Sequence, residues 1–293
     1  MADNVTSFAT VLDKLTYWRN VQPDKNVWVF LDDKGAIADQ YSYYQLELAT
    51  SALAKHLLEK TRLRAGDRVL LVFFPGLDFT ASLIACFKAG IIAVPVFPPD
   101  PRRLKKDLHH FISIQSNSGA TNVLTHGAYN FAKKLTGLKD MFLGGDVTWP
   151  DMNWIVVDDI LNKHKFKVAH GQNTDTAYHK ASYYKDIAFL QYTSGSTSEP
   201  KGVMITHECL AHNITIIVNE LQVDTSTINV SWLPQYHDMG LIGSYLGALF
   251  CGGTGYYLSP ISFLKDATLW VKCLSKYKAT HTQVLIKHYI RAI

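Results

Sequence analysis

The sequence predicts an α/β fold in which layered, largely parallel β-sheets are flanked by helices. Helical and strand patterns alternate along the chain, and this alternation favours parallel strands joined by helical connections. One stretch has the pattern of a complete strand–helix–strand unit, with strands over 69–74 and 91–96 and a helix over 78–89 between them. With 293 residues and 47% hydrophobic content, the chain can bury a large core, and its length allows one large domain or two smaller ones.

The first predicted helix begins at a capping box. Ser42 and Gln45 stand three positions apart, where each side chain can accept a hydrogen bond from the other residue's backbone N–H. Apolar residues then recur at helical spacing and predict one buried face, formed by Leu46, Ala49, Leu53 and Leu57. In the strand–helix–strand unit, Pro75 and Gly76 turn the chain from the first strand into the helix, and Gly90 ends that helix.

Further predicted elements continue the same alternation. They are a helix over 104–116, strands over 122–125, 155–157, 187–192 and 203–206, a helix over 208–221, a strand over 228–233, a helix over 241–250, a strand over 255–258 and a helix over 263–277. Residues 163–185 are polar and lack clear periodicity. They are interpreted as a long surface connection, with a subdomain boundary there as the alternative.

The overall charge of the chain is modest. A net charge of +4 arises from 29 basic and 25 acidic residues that are interspersed, so no nucleic-acid partner is expected. The four cysteines are scattered without a C-x-x-C pair, which argues against a zinc site or a disulfide framework and favours a reducing, cytoplasmic compartment. The N-terminus carries acidic residues and no apolar run, so no signal peptide is predicted.

One apolar stretch, residues 79–99, has the length that a membrane span requires. Lys88 lies near its centre, Gly90 interrupts it, and Pro95 follows. A helix followed by a strand is therefore the better interpretation, and no transmembrane segment is expected.

The most informative segment, LQYTSGSTSEPK, spans residues 190–201. A strand that leads into a glycine-containing, hydroxyl-rich turn ending in Lys201 suits the binding of a polyphosphate. Gly195 lets the backbone approach an anion closely, and lysine supplies a compact positive charge. The alternative is an exposed surface turn, since Ser, Thr, Gly and Pro are common in loops. The spacing matches neither a Walker A loop nor a nucleophile elbow.

In its order of residues, this segment resembles the phosphate loop of the adenylate-forming enzymes. The shared pattern is Thr193-Ser194-Gly195-Ser196-Thr197, followed two residues later by Pro200-Lys201-Gly202-Val203. Most members carry glycine where this chain has Ser198, whereas serine is typical of the fatty-acyl-AMP ligase branch. The string YHDMGLIG over 236–243 is similar to the next core motif of that branch, and residues 89–99 resemble a third, weaker motif.

The resemblance implies that residues 1–293 are the N-terminal part of an AMP-binding domain. It implies attack of a fatty-acid carboxylate on the α-phosphate of ATP, with Mg²⁺ accompanying the nucleotide, to give acyl-adenylate and pyrophosphate. The acyl group would then pass to the thiol of coenzyme A or of a carrier protein's pantetheine arm. Catalytic roles are implied for Lys201 and His237, the latter beside the acyl or adenylate pocket. The triphosphate would be held by Thr193, Ser194, Gly195, Ser196, Thr197, Ser198 and Lys201.

Both leading motifs follow predicted strands. In open α/β sheets, ligands bind beyond the carboxyl ends of strands. Thr193 and residues 234–238 therefore lie where a ligand site is expected. The carboxylate of a fatty acid is already ionised at neutral pH, so the adenylation step needs alignment and charge neutralisation more than a general base.

Other parts of the family pattern are missing from these 293 residues. They contain no aromatic-Gly-x-Thr-Glu motif, no ribose-binding Thr-Gly-Asp motif and no C-terminal domain with its adenylation lysine. Residues 283–293 also diverge where a Pro-Asn-aromatic segment is expected. Two alternatives to an acyl-AMP ligase stay open: an acyl-CoA ligase and a non-catalytic, truncated adenylate-fold module. The chain alone is expected not to catalyse ATP–pyrophosphate exchange.

Overall fold

The computed structural model describes residues 9–100, 104–143, 149–165, 185–193 and 200–283. The chain falls into two compact units, each built on its own β-sheet. The six-stranded unit comprises Leu48–Ala181 and Ile187–Ile205, and the four-stranded unit comprises Met1–Glu47, Ser182–Asp186 and Thr206–Ile293. The boundary predicted near 163–185 lies mostly outside the described residues. It stays a prediction, as does the assignment of residues 1–293 to the N-terminal part of one domain.

The described residues form helices and strands that alternate through most of the chain. The first are α1 (Val11–Val21), β1 (Asn26–Leu31), β2 (Ile37–Ser42), α2 (Tyr43–Lys60), β3 (Arg68–Leu71), α3 (Leu77–Ala89), β4 (Ile92–Pro95), α4 (Leu104–Ser118), β5 (Asn122–Thr125) and α5 (Gly127–Leu143). Next come β6 (Asn153–Val156), α6 (Asp158–Lys165), β7 (Ile187–Thr193), β8 (Lys201–Thr206), α7 (His207–Glu220) and β9 (Ile228–Ser231). The last are a π-helix (Met239–Leu246), α8 (Gly247–Cys251), β10 (Thr254–Tyr257), α9 (Pro260–Lys265) and α10 (Ala267–Lys276).

The six-stranded sheet has the strand order β6-β5-β3-β4-β7-β8. Five of its strands run in parallel, since β3 pairs with β4 and β5, β5 pairs with β6, and β4 pairs with β7. Parallel neighbours need long crossovers, and helices supply them here. Leu70 and Val123 of the sheet pack in one core with Phe111 of α4 and Tyr129 of α5. The prediction of a largely parallel α/β fold is confirmed.

The predicted strand–helix–strand unit is present, with strands shorter than expected. Helix α3 is buried along its whole length except at Asp78. Gly90 follows it with a φ of 67°, a left-handed conformation that glycine adopts easily. Strand β4 ends at Pro95, which has no N–H to continue the ladder. Residues 79–99 thus form a helix and a strand, and no helix in the described part of the chain is long and apolar enough to cross a bilayer.

The capping box at the start of α2 forms as predicted. The backbone N–H of Ser42 donates to Gln45 Oε1 at 2.9 Å, and that of Gln45 donates to Ser42 Oγ at 3.2 Å. The predicted apolar face is fully buried at Leu46, Ala49, Leu53 and Leu57. Local hydrogen bonding and helical periodicity therefore determine this helix together.

The four-stranded sheet has the order β2-β1-β10-β9. Strand β1 pairs antiparallel with β2 and parallel with β10, which also pairs in parallel with β9. The sequence analysis missed α1, β1 and β2. A signal for α1 was available, because Thr10 and Asp13 form a reciprocal capping box in which Asp13 Oδ2 accepts from the Thr10 N–H at 2.8 Å.

Two predicted helices differ in form from the prediction, and two further helices were missed. The helix predicted over 241–250 is a π-helix followed by α8, and the helix predicted over 263–277 is divided into α9 and α10. Asp266 makes the second break, since its side chain accepts a hydrogen bond from the Thr268 N–H at 3.0 Å and caps α10. Helices α5 and α6 were not predicted, and α6 includes the first residues of the segment interpreted as a surface connection.

Candidate functional site

A strand–loop–strand element forms one edge of the six-stranded sheet. Strand β7 ends at Thr193, strand β8 begins at Lys201, and the two strands are neighbours in the sheet. Since β7 runs parallel to β4, Thr193 lies at the carboxyl edge of this sheet, where α/β proteins bind ligands. The intervening predicted site residues lie outside the described residues, and their roles stay predictions: Ser194, Gly195, Ser196, Thr197 and Ser198.

The two described members of this element are open to solvent. Thr193 and Lys201 are both exposed, whereas Pro200 between them is buried. Within the described part of the chain, no carboxylate lies within ion-pair distance of the Lys201 ammonium. A buried proline thus anchors an exposed lysine whose charge is available to an anionic ligand.

The glycine that follows this lysine permits a close contact between the two strands. A Cβ atom at Gly202 would lie 2.8 Å from Cζ of Tyr192 on β7. The Tyr192 hydroxyl in turn donates to Asn117 Oδ1 at 2.6 Å, and burial raises the pKa of this tyrosine. In the sequence, Gly202 was named only as part of a motif. The structure explains why glycine is required at this position: any side chain would collide with the ring of Tyr192.

The second candidate residue, His237, lies in the four-stranded unit after β9. Its Nδ1 atom lies 2.5 Å from Asp238 Oδ1, and the side chains are 66% and 57% exposed, respectively. The same Asp238 oxygen accepts a hydrogen bond from the Met239 N–H at 2.7 Å at the start of the π-helix. With Nδ1 against the carboxylate, Nε2 is the ring nitrogen left for a ligand. The sequence analysis quoted Asp238 without assigning it this contact.

Closely packed neighbours hold the His237 turn in place. The His237 N–H donates to the Pro234 carbonyl at 3.2 Å, and a Cβ atom at Gly240 would lie 2.2 Å from that same oxygen. Only glycine fits at this position without moving backbone. Burial raises the pKa of Tyr236 to about 12, so its phenol stays neutral at physiological pH. The half-buried Tyr236 before it and the buried Gly240 after it therefore flank an exposed histidine.

The structure thus describes three of the predicted site residues, Thr193 and Lys201 in one unit and His237 in the other. Among the residues described, no group of three or more His, Cys, Asp or Glu side chains could hold a metal ion. The divergent residues 284–293 lie outside the described part of the chain.

Comparison with known proteins gives one family. The profile of the family described as AMP-binding enzyme matches residues 15–291. The medium-chain-fatty-acid–[acyl-carrier-protein] ligase JamA of Moorena producens is 33% identical over 277 residues, which cover 94% of this chain and 44% of that protein. The long-chain-fatty-acid–AMP ligase FadD32 of Mycolicibacterium smegmatis is 27% identical, covering 92% of this chain and 40% of that protein.

A solved structure has the same fold at similar identity. The fatty acyl-adenylate ligase of L. pneumophila, in complex with acyl adenylate and pyrophosphate, aligns with a TM-score of 0.78 and 33% identity. The alignment covers 94% of this chain and 44% of that one. The chain therefore spans less than half the length of the relatives that it matches.

Proposed function

Because this chain belongs to the AMP-binding enzyme family, we propose that it is part of a ligase that uses ATP to activate a fatty acid. A carboxylate oxygen attacks the α-phosphorus, the bond from that phosphorus to the bridging oxygen breaks, and pyrophosphate leaves. The product is an acyl-adenylate. A thiolate then attacks its carbonyl carbon, forms the thioester and releases AMP.

The observation that carries this proposal is the strand–loop–strand element at the carboxyl edge of the six-stranded sheet. Adenylation brings an anionic carboxylate against an anionic phosphate. Its main requirement is therefore a set of hydrogen-bond donors and cations around the phosphates. Exposed Lys201 supplies such a cation, and exposed Thr193 supplies a hydroxyl donor. In the proposal, the residues of the connecting loop, Ser194 to Ser198, complete the phosphate site.

His237 is proposed to line the acyl or adenylate pocket. Its imidazole is held at Nδ1 by Asp238, so Nε2 can donate or accept one hydrogen bond at a fixed place. The packing of Gly240 against Pro234 supports this role, since it fixes the turn that carries the histidine. The residues that form the rest of the acyl-chain pocket are not part of this assignment.

Mg²⁺ is proposed to enter with the nucleotide. In phosphoryl-transfer sites Mg²⁺ is bound mainly by phosphate oxygens and water, with one or two protein ligands at most. The described residues fit this arrangement, since they offer donors and a cation to phosphates and no cluster of carboxylates to a metal. The ion would neutralise the charge that develops on the departing pyrophosphate.

The thiol acceptor is proposed to be the pantetheine arm of an acyl carrier protein, with coenzyme A as the alternative. The Moorena producens relative is a fatty-acid–[acyl-carrier-protein] ligase, which supports the first acceptor. A cytoplasmic location is proposed as well, since the four cysteines are all free and three of them are buried. A non-catalytic module is the remaining alternative.

The test is nucleotide binding by the 293-residue chain, measured by calorimetry with Lys201→Ala and, as the matched control, Lys265→Ala. Lys265 is 66% exposed and belongs to the other unit, so its removal makes the same charge change outside the strand–loop–strand element. Losing a charge-assisted contact should weaken ATP binding by roughly tenfold in Lys201→Ala. Equal affinities for the two variants would remove Lys201 from the phosphate site.

Catalysis needs a second measurement, acid-dependent ATP–pyrophosphate exchange. The chain can be assayed alone and joined to the unmatched part of the Moorena producens ligase. Exchange that depends on a fatty acid and is lost in Lys201→Ala supports the ligase proposal. ATP binding without exchange in the joined protein would favour the non-catalytic module. Thioester formation with coenzyme A but not with a carrier protein would favour the acyl-CoA ligase.

A further inference from the structure

A basic cleft lies at the amino edge of the six-stranded sheet, the edge opposite Thr193. Its floor includes the first residues of three parallel strands, Arg68 of β3, Asn122 of β5 and Asn153 of β6. The end of α2 and the residues after it form one wall. This open cleft has a volume of about 930 Å³, within the range of about 300–1,000 Å³ that is usual for small-molecule sites.

Among the described residues, three cationic side chains and one carboxylate line this basic cleft. The cations are those of Lys60, Arg62 and Arg68, and the carboxylate is that of Asp67. Within the described residues, none of the three cations lies within 4.0 Å of a carboxylate. Asp67 instead accepts a hydrogen bond from the backbone N–H of Arg64 at 2.7 Å. The cleft therefore carries positive charge that no acidic side chain pairs with directly.

The Arg68 guanidinium is already fixed in position. Its Nε donates to the Ser118 carbonyl at 3.0 Å, and its two terminal nitrogens lie 3.4 and 3.5 Å from the carbonyls of Gly66 and Gly119. A guanidinium has five N–H groups, so two stay available after these three contacts. A cation held in advance loses little conformational entropy when it binds an anion.

Helix ends compensate only part of this positive charge. Helices α2 and α4 both end beside the cleft, and a helix C-terminus carries about half a negative charge. The two helix ends and Asp67 together leave about one positive charge uncompensated. The three cations therefore carry more positive charge than the two helix C-termini and Asp67 can compensate.

An aromatic ring and amide groups complete the lining. Trp154 lines the cleft, and its indole is supported by the Tyr129 ring at 6.2 Å, nearly parallel to it, and by the Lys133 ammonium 3.8 Å from its centroid. The side-chain amide of Asn153 donates to Asn122 Oδ1 at 2.9 Å. Fixed polar groups beside an aromatic residue suit an organic anion as well as an inorganic one.

We propose that this basic cleft is a second anion site, which binds a phosphate-bearing small molecule. Lys60 and Arg62 are exposed, long side chains that can close on the phosphates, and Arg68 provides the fixed donor fork. The same phosphate chemistry has two sources, inorganic pyrophosphate and the polyphosphate chain of a nucleotide. The site is distinct from the one proposed around Lys201, which lies at the opposite edge of the same sheet.

The test is calorimetric titration of the 293-residue chain with pyrophosphate and with ATP, in a Lys201→Ala background that weakens the other proposed site. Lys60→Gln combined with Arg62→Gln changes the net charge of the cleft from positive to negative. The double substitution should lower the affinity for the phosphate ligands at least about tenfold. Lys55→Gln combined with Arg64→Gln is the matched control. It removes one lysine and one arginine from the same helix and loop, and neither residue lines the cleft. Its affinity should stay within about twofold of the background.

Trp154→Ala distinguishes the two sources of phosphate. A loss of affinity for ATP alone identifies a nucleotide whose base contacts Trp154, whereas unchanged affinity for both ligands identifies inorganic pyrophosphate; either result supports the site. Two outcomes overturn the proposal. They are no binding of either ligand, and equal losses in the cleft variant and its matched control. In the first case, binding of poly-glutamate would indicate a surface for an acidic macromolecule instead.

Discussion

Replacing Gly240 by alanine should destabilise the turn that carries His237. The added Cβ would lie 2.2 Å from the Pro234 carbonyl oxygen and 3.0 Å from its carbon. An ordinary contact is longer, so backbone on one side must move by about 1 Å, in a densely packed region where such shifts are resisted. Overpacking of this kind costs about 1–3 kcal/mol. Because both contacting atoms are backbone, we expect the upper part of that range.

Gly243 provides the matched control in the same π-helix. A Cβ atom there meets nothing within 4 Å, so Gly243→Ala should be neutral or stabilise by up to about 1 kcal/mol through lower entropy of the unfolded chain. Urea unfolding followed by tryptophan fluorescence would measure both variants. The reasoning is refuted if the two substitutions change the free energy of unfolding equally, or if Gly240→Ala is the milder one.

Two further predictions concern the six-stranded unit and α2. Ser42→Ala should lower the free energy of unfolding by about 1 kcal/mol, since the N–H of Gln45 loses its acceptor; an unchanged urea midpoint would contradict this. Burial lowers the pKa of Lys133 to about 8, so between that pH and about 10.5 the unfolded chain binds more protons and stability rises with pH. Urea unfolding at about pH 7 and about pH 9.5 measures this gain: Lys133→Met should lose it, and the control Lys134→Met should keep it. An identical pH dependence in the two variants would contradict the prediction.

Elements coded by neighbouring residues were predictable from the sequence. The Ser42–Gln45 box and the glycine after α3 act within one helical turn, so their signals are complete in the local sequence. Helix α1 carries the same kind of signal in Thr10 and Asp13, and the break at Asp266 follows from an N-cap residue. Both the start of α1 and the break at Asp266 could therefore have been predicted from local capping residues.

Other features depend on contacts between residues far apart in sequence or on unusual geometry. The π-helix cannot be distinguished from an α-helix by apolar periodicity, and the close approach of Gly240 to the Pro234 carbonyl is visible only in three dimensions. At the candidate site, residue order indicated the strand ends that carry Thr193 and Lys201. The pairing of Asp238 with His237 and the space that Tyr192 requires above Gly202 became visible only in three dimensions.

The strand order of the four-stranded sheet has a consequence for synthesis on the ribosome. Strand β1 is central and needs β10 as its second neighbour, with Trp28 beside Gly255. More than 200 residues must therefore be translated after β1 before its sheet can close. Strands β3, β4, β5 and β6 of the other sheet all emerge within that interval. The nascent chain can thus fold much of its middle first, while β1 and β2 stay an exposed hairpin that chaperones would have to protect from premature association.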